Sequence, residues 1–198
     1  MKRMVLIAMG LLLLAGSSFA QPYPGLPDTA YVGLFTDLAH TTHQVNYTAT
    51  PPAMTPFTFY IFWVPSKMGL MAAEFKIQYP ANVLITSAVK NPAVIIEMGS
   101  IQAGISISFY GEVECGESCC RTDWVYSHRV NCFLMNANPG QIMVVERLLD
   151  PEPPAYQVGS CEPGYPIYPV KRYCHLSLNY DGGVGVQTKS WGAIKSLF

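Results

Sequence analysis

Charged side chains are scarce in this 198-residue chain, at 13% of the total, and the 12 bases nearly balance the 13 acids. That balance gives no electrostatic ground for a nucleic-acid partner or an anionic membrane. Catalytic and cofactor signatures are missing too: there is no G-x-S-x-G elbow, no H-E-x-x-H helix, no P-loop and no dinucleotide glycine motif. We therefore expect no enzymatic activity, no cofactor and no metal. Beyond the first twenty residues no run of roughly twenty apolar residues occurs, so no transmembrane segment is expected after them.

Residues 1–20 read as a secretory signal peptide. Lys2 and Arg3 form the positive n-region, Val5 to Ala15 the apolar h-region, and Ser18 and Ala20 the small residues a signal peptidase needs. No cysteine stands at the cleavage point, so no lipid anchor is expected there. Losing two bases brings the net charge of the mature chain to about −3. Apolar residues make up 50% of the sequence. A low-charge, apolar chain outside the cell points to a surface covered by a partner, a glycan or another copy of itself.

All six cysteines, Cys115, Cys119, Cys120, Cys132, Cys161 and Cys174, follow the signal segment. An even number in an oxidising compartment predicts disulfides. Zinc is disfavoured, because the spacing of Cys115, Cys119 and Cys120 does not make a CxxC knuckle. Adjacent Cys119 and Cys120 need different partners. Short loop closure favours Cys120–Cys132 and Cys161–Cys174, leaving Cys115–Cys119 by elimination.

After a proline-rich leader at 21–28, the hydrophobic period is two. From Met71 to Tyr79, Ala73, Phe75, Ile77 and Tyr79 face one way while Glu74, Lys76 and Gln78 face the other. Ala103 to Tyr110 repeats the pattern, as do Cys174, Leu176, Leu178 and Tyr180. Phe57 to Val64 is apolar on both faces and predicts a central strand covered on both sides, with Trp63 in the core. Further strands are expected at Tyr31 to Asp37, Val83 to Val89, Val94 to Met98, Asp123 to Tyr126, Val130 to Met135 and Gln141 to Leu148. The last has helix-forming composition but follows a Pro-Gly turn, so it is read as a strand. Six prolines between Asp150 and Pro169 predict a long surface excursion held by Cys161. The expected fold is all-β: an antiparallel β-sandwich of jelly-roll or immunoglobulin-like type, disulfide-linked, over residues 29–180.

The segment Gly69 to Ala88 (GLMAAEFKIQYPANVLITSA), followed by the small-residue strand Gly104 to Gly111, resembles the cohesin-like β-sandwich family and its carbohydrate-binding relatives. The resemblance implies a fold and brings no recognition residues with it. Separately, TDWVYSH (Thr122 to His128), CEPGYP (Cys161 to Pro166) and SWGAIKSLF resemble a family of secreted bacterial proteins ending in a WGxIKxLF-type tail. That implies an extracellular bacterial setting and no assigned activity.

Other chemistry has weaker footing. His40 and His43, with His128 or His175, are read as scattered surface histidines rather than metal ligands. Glu112, Glu114 and Glu117 are read as a solvated acidic loop rather than a calcium site. Glu97, Glu146 and Asp123 supply carboxylates but no recognisable catalytic pair. Tyr156, Tyr165, Tyr168 and Tyr173, with Trp124, are the possible ligand contacts, since aromatic rings stack on sugars, although Trp124 is read first as core. Asn46 begins an N-Y-T sequon. Residues 181–198 are read as a glycine-rich linker and a short C-terminal helix, with Trp191, Ile194 and Phe198 as a docking stripe. The expectation is a secreted, non-catalytic module at the cell surface or in an extracellular assembly. Its partner would be an extracellular protein or another copy of itself, alternatively a polysaccharide, and a secreted hydrolase ranks third.

Overall fold

The computed structural model describes residues 26–110, 113–115, 118–121, 123–145, 157–162, 164 and 166–180. Fifteen strands follow in order: β1 Tyr31–Phe35, β2 Gln44–Val45, β3 Thr55–Val64, β4 Ala72–Gln78, β5 Val83–Lys90, β6 Val94–Ser100, β7 Gly104–Phe109, β8 Val113–Cys115, β9 Ser118–Cys120, β10 Val125–Leu134, β11 Gly140–Val145, β12 Gln157–Gly159, β13 Ile167–Pro169, β14 Lys171–Cys174 and β15 Leu176–Leu178. No helix occurs among the described residues. The expected closing helix and its linker fall on residues 181–198, outside them, as do Tyr156 and Tyr165.

Two sheets face each other. The first runs β14-β1-β3-β10-β5, and the second has the path β13-β12-β4-β11-β15-β2 with β7 on β4 and β6 on β7. Pairing is antiparallel except β1 with β14 and β2 with β15. The period-two pattern dictates the packing. Phe59, Ile61 and Trp63 of β3 point inward against Phe75 and Ile77 of β4, and Ile105, Ile107, Ile142, Val144 and Val158 complete one core. The Trp63 and Phe75 rings meet across the sheets at 5.2 Å. Trp63 is fully buried, so its indole N–H needs an acceptor. It donates to Ser127 Oγ at 3.0 Å, and that hydroxyl donates to Ile61 O at 3.4 Å.

Three details depart from the expected strands. Asp123 to Tyr126 and Val130 to Met135 merge into β10, because a bulge between Tyr126 and His128 shifts the inward parity. Cys174 to Tyr180 splits: Cys174 ends β14 in the first sheet, while Leu176 and Leu178 lie in the second. The proline-rich excursion contains β12, which pairs with β4 and buries Val158, and β13, which pairs with β12. Its prolines flank β12 instead of interrupting it.

The disulfide scheme also needs correction. Cys132 points into the core of β10 and Cys174 lies half-buried beside Gly33, and both are free thiols. Neither Cys120–Cys132 nor Cys161–Cys174 is formed. Cys161 is disulfide-bonded, to a residue outside those whose side chains are described. Burial pushes the Cys132 and Cys174 thiols up to about 12.

Candidate interaction surface

The outward positions of the first sheet are aromatic. Because Phe59, Ile61 and Trp63 face the core, Tyr60 and Phe62 face out, beside Phe35 of β1, Tyr126 of β10 and Tyr173 of β14. Trp124, just ahead of β10, joins them. Phe62 meets Tyr126 at 5.7 Å and 62°, Tyr60 meets Tyr126 at 5.3 Å and 76°, and Trp124 meets Tyr173 at 6.2 Å and 82°. These are edge-to-face contacts, so the rings pack on one another and present no flat row. Trp124 is half-buried on this outer layer, not a core residue.

The loop at 36–42 closes over the cluster. The Asp37 carboxylate accepts hydrogen bonds from the Thr41 and Thr42 backbone N–H groups at 3.1 and 2.6 Å, and Thr36 N–H donates to Thr42 O. Burial alone would raise the Asp37 pKa, but these hydrogen bonds together hold it below the ordinary carboxylate value. The tight turn puts His40 at φ 58°, a left-handed conformation uncommon for a residue with a Cβ. In return its ring stacks on Trp124 at 4.7 Å and 24° and meets Phe62 edge-on at 4.1 Å. Burial lowers the His40 pKa, against the opposing pull of Asp37.

Next to this layer lies a pocket of about 610 Å³, lined by Leu38, His40, Phe62, Asn91, Pro92, Ala93, Tyr110, Arg121, Trp124, Val125 and Tyr126. Arg121 is buried and bonds Asp123 at 2.8 Å, while the lining itself includes no carboxylate. Asn91, Pro92 and Ala93 are also the connector from β5 to β6, and Tyr110 N–H donates to Ala93 O. The pocket therefore runs directly onto the side of the sandwich where both sheets end.

That side is apolar. Among the described residues β5 pairs only with β10 and β6 only with β7, so within them each leaves one backbone edge unpaired. Leu84 and Val89 of β5 and Ile95, Ile96 and Met98 of β6 are exposed, Met98 to 61%, and Tyr110 beside them to 57%. Between the two strands sits His128 of β10, fully buried, with neither ring nitrogen hydrogen-bonded among the described residues. Its Nε2 lies 3.6 Å from Glu97 Oε1, an ion-pair distance rather than a hydrogen bond. Burial drives the His128 pKa down; Glu97 opposes this and Lys90 adds to it.

Of the residues singled out from the sequence, Trp124 and Tyr173 meet in the aromatic layer. Tyr168 lies elsewhere, on β13 of the second sheet, its hydroxyl bonded to Glu162. Glu97 and Asp123 engage different partners, His128 and Arg121. Burial lowers the His175 pKa, and nearby His43 and Arg172 add to this, but no group of three or more His, Cys, Asp and Glu side chains among the described residues is placed to hold a metal. Asn46 is exposed just past β2. The pocket and the apolar edge were not anticipated. Their signals were the aromatic alternate positions of β3 and two consecutive apolar strands with little charge.

The fold is a β-sandwich, in agreement with the expectation from the sequence. It is similar to the seventh ScaB type I cohesin of Pseudobacteroides cellulosolvens (TM-score 0.48, 8% identity, 80% of this chain and 96% of that one). It is also similar to a Clostridium thermocellum type I cohesin–dockerin complex (0.48, 9%, 77% and 95%) and a non-cellulosomal cohesin of the archaeon Archaeoglobus fulgidus (0.46, 6%, 76% and 89%). No family model matches the chain, and no curated protein matches it in sequence. At these identities and TM-scores the likeness carries no ligand, partner or role across.

Proposed function

We propose that this chain is a secreted, non-catalytic binding module whose partner is another protein, held by the pocket and the apolar edge that adjoins it. The continuity of the two supports this reading: the 91–93 connector lines the pocket and also joins the two exposed strands. A concave aromatic anchor site bordered by exposed apolar side chains is the anatomy of a protein–protein hot spot. The edge-to-face ring packing argues against a polysaccharide, which needs coplanar exposed rings, and His40 already covers one face of Trp124.

Pull-down from the native secreted fraction, using the mature chain and its Trp124→Ala and Met98→Asp variants, tests the reading. A protein retained by the parent and lost by both variants supports it. Equal retention by all three overturns it. Retarded migration in polysaccharide gels that Trp124→Ala abolishes overturns it in favour of a glycan.

A further inference from the structure

The inward positions of β6 are poor in apolar side chains. Its register sets Val94, Glu97 and Gly99 opposite the core residues Phe109, Ile107 and Ile105 of β7, while Ile95 belongs to a bulge and is exposed. Buried Val94 anchors the start of the strand, and buried Ile101 anchors the chain just past its end. Between those anchors the side chain that β6 turns toward the first sheet is Glu97, whose Oε1 stands 3.6 Å from Nε2 of His128 on β10. We propose that His128 and Glu97 form an acid-released latch: protonation of His128 frees the middle of β6 from the first sheet while the core between the sheets stays folded.

The geometry sets the sign. A neutral imidazole carries one N–H donor and an imidazolium two. Neither ring nitrogen of His128 has a hydrogen-bond partner among the described residues, and 3.6 Å to Glu97 is too long for one. Protonation therefore puts a charge and a second unbonded donor into a site that is 1% exposed. Two charged groups face the ring: Glu97 of β6, and Lys90 of β5, which stands opposite His128 in the ladder. β3 and β4 present Ile61 and Phe75 to it, with Tyr60, Glu74 and Lys76 at outward positions, β7 has no titratable side chain, and Arg129 beside it on β10 is exposed. Burial and Lys90 disfavour the imidazolium and Glu97 favours it, with burial the largest influence. Moving β6 aside lets water reach the ring, so the open arrangement binds the proton more tightly and acid populates it. β6 can move by itself because, among the described residues, it pairs with β7 alone. The latch underlies the exposed side that Ile96 and Met98 share, yet it stands whether or not a protein binds there.

Hydrogen exchange of the mature chain between about pH 8 and pH 5 tests it, read as protection factors so that the intrinsic pH dependence of exchange divides out. We expect the β6 amides to lose protection about threefold or more over that range. At pH 5 they should stay about tenfold or more below the amides that pair β3 with β10, which marks the opening as local. His128→Leu should remove the pH dependence of β6. Glu97→Gln should move the loss to higher pH, because the group that favours the imidazolium is gone while burial and Lys90 remain. A merely structural Glu97 would instead lower β6 protection at every pH and leave the midpoint in place. Near-UV circular dichroism checks folding; if His128→Leu does not fold, the midpoint in Glu97→Gln decides alone. β6 protection that does not change with pH, that matches the β3–β10 amides throughout, or that falls as before in His128→Leu overturns the proposal, as does an unmoved midpoint in Glu97→Gln.

Discussion

The β6–β7 hairpin should depend on a single hydrogen atom at Gly99. Its φ is +101°, and a Cβ built there would lie 2.2 Å from the carbonyl oxygen of Gly104, against backbone that cannot rotate away. Gly99 pairs with Ile105, and Ser100 with Gly104, so the clash falls on the ladder that closes the hairpin. Gly99→Ala therefore carries two costs. The conformation alone is worth about 1–3 kcal/mol. Relieving the contact must also separate Gly99 from Gly104, losing ladder hydrogen bonds worth about 0.5–1.5 kcal/mol each. The total should be about 3 kcal/mol or more.

Gly164 supplies the control. Its φ is +88°, but nothing lies within 4 Å of a Cβ added there. Gly164→Ala should thus show the conformational cost by itself, about 1–2 kcal/mol. Urea unfolding of both variants gives the difference, and hydrogen exchange at the β6 amides shows where it arises. Gly99→Ala should expose those amides at concentrations where the rest of the domain is still protected. If the two variants lie within about 1 kcal/mol of each other, the steric argument is wrong, and β6 is not held to β7 by this close approach.

Trp63→Ala should cost about 3–5 kcal/mol in thermal or urea melts, from the cavity and the lost indole bond to Ser127; a cost under about 1 kcal/mol would contradict its central place. Acid should destabilise the fold: with the folded pKa of His128 below 6.5, the unfolded chain binds more protons, so this stability is present above 6.5 and lost as pH falls below it. His128→Leu should flatten a melting-temperature profile between about pH 8 and pH 5, without abolishing the slope, since His40 and His175 are shifted the same way; an unchanged slope counts against the buried histidine. Cys132 and Cys174 should resist thiol reagents in the folded protein and react fully once it is denatured without reductant. Either residue found in a disulfide by peptide mapping would refute this.

The sandwich was legible because alternation is a direct image of one buried face. Ala73, Phe75 and Ile77 are buried where the period places them, while Tyr79, assigned to the same face, lies one residue past the end of β4 and is 36% exposed. Period two fails where the chain changes side or sheet. At the β10 bulge two residues oppose one and the parity flips, so one strand reads as two. At His175 the alternation continues while the strand passes from one sheet to the other, so two strands read as one. The cysteines misled for a related reason: nearness along the chain is a weak guide when β10 and β14 commit their cysteines to different environments. Phe57 to Val64 was read as covered on both sides, and Phe62 is indeed buried. What covers it is the 36–42 loop and Trp124, a local cap that composition does not distinguish from a second sheet.

The same economy of charge that gives no ground for a nucleic-acid partner explains where the candidate surface lies. The aromatic positions facing out of the first sheet are too apolar to be left in water, and the chain covers them with its own loop, drawn tight by Asp37 at the expense of a left-handed His40. The β5–β6 side has no such cover among the described residues, and its strands carry one charge each. Loops that protect one apolar face and leave another open make folding stability an insufficient account of the sequence, because polar residues at Ile96 and Met98 would lose no core packing. On the function proposed above, their apolar character serves contact with a partner protein, and the pocket beside the 91–93 connector gives that contact an anchor.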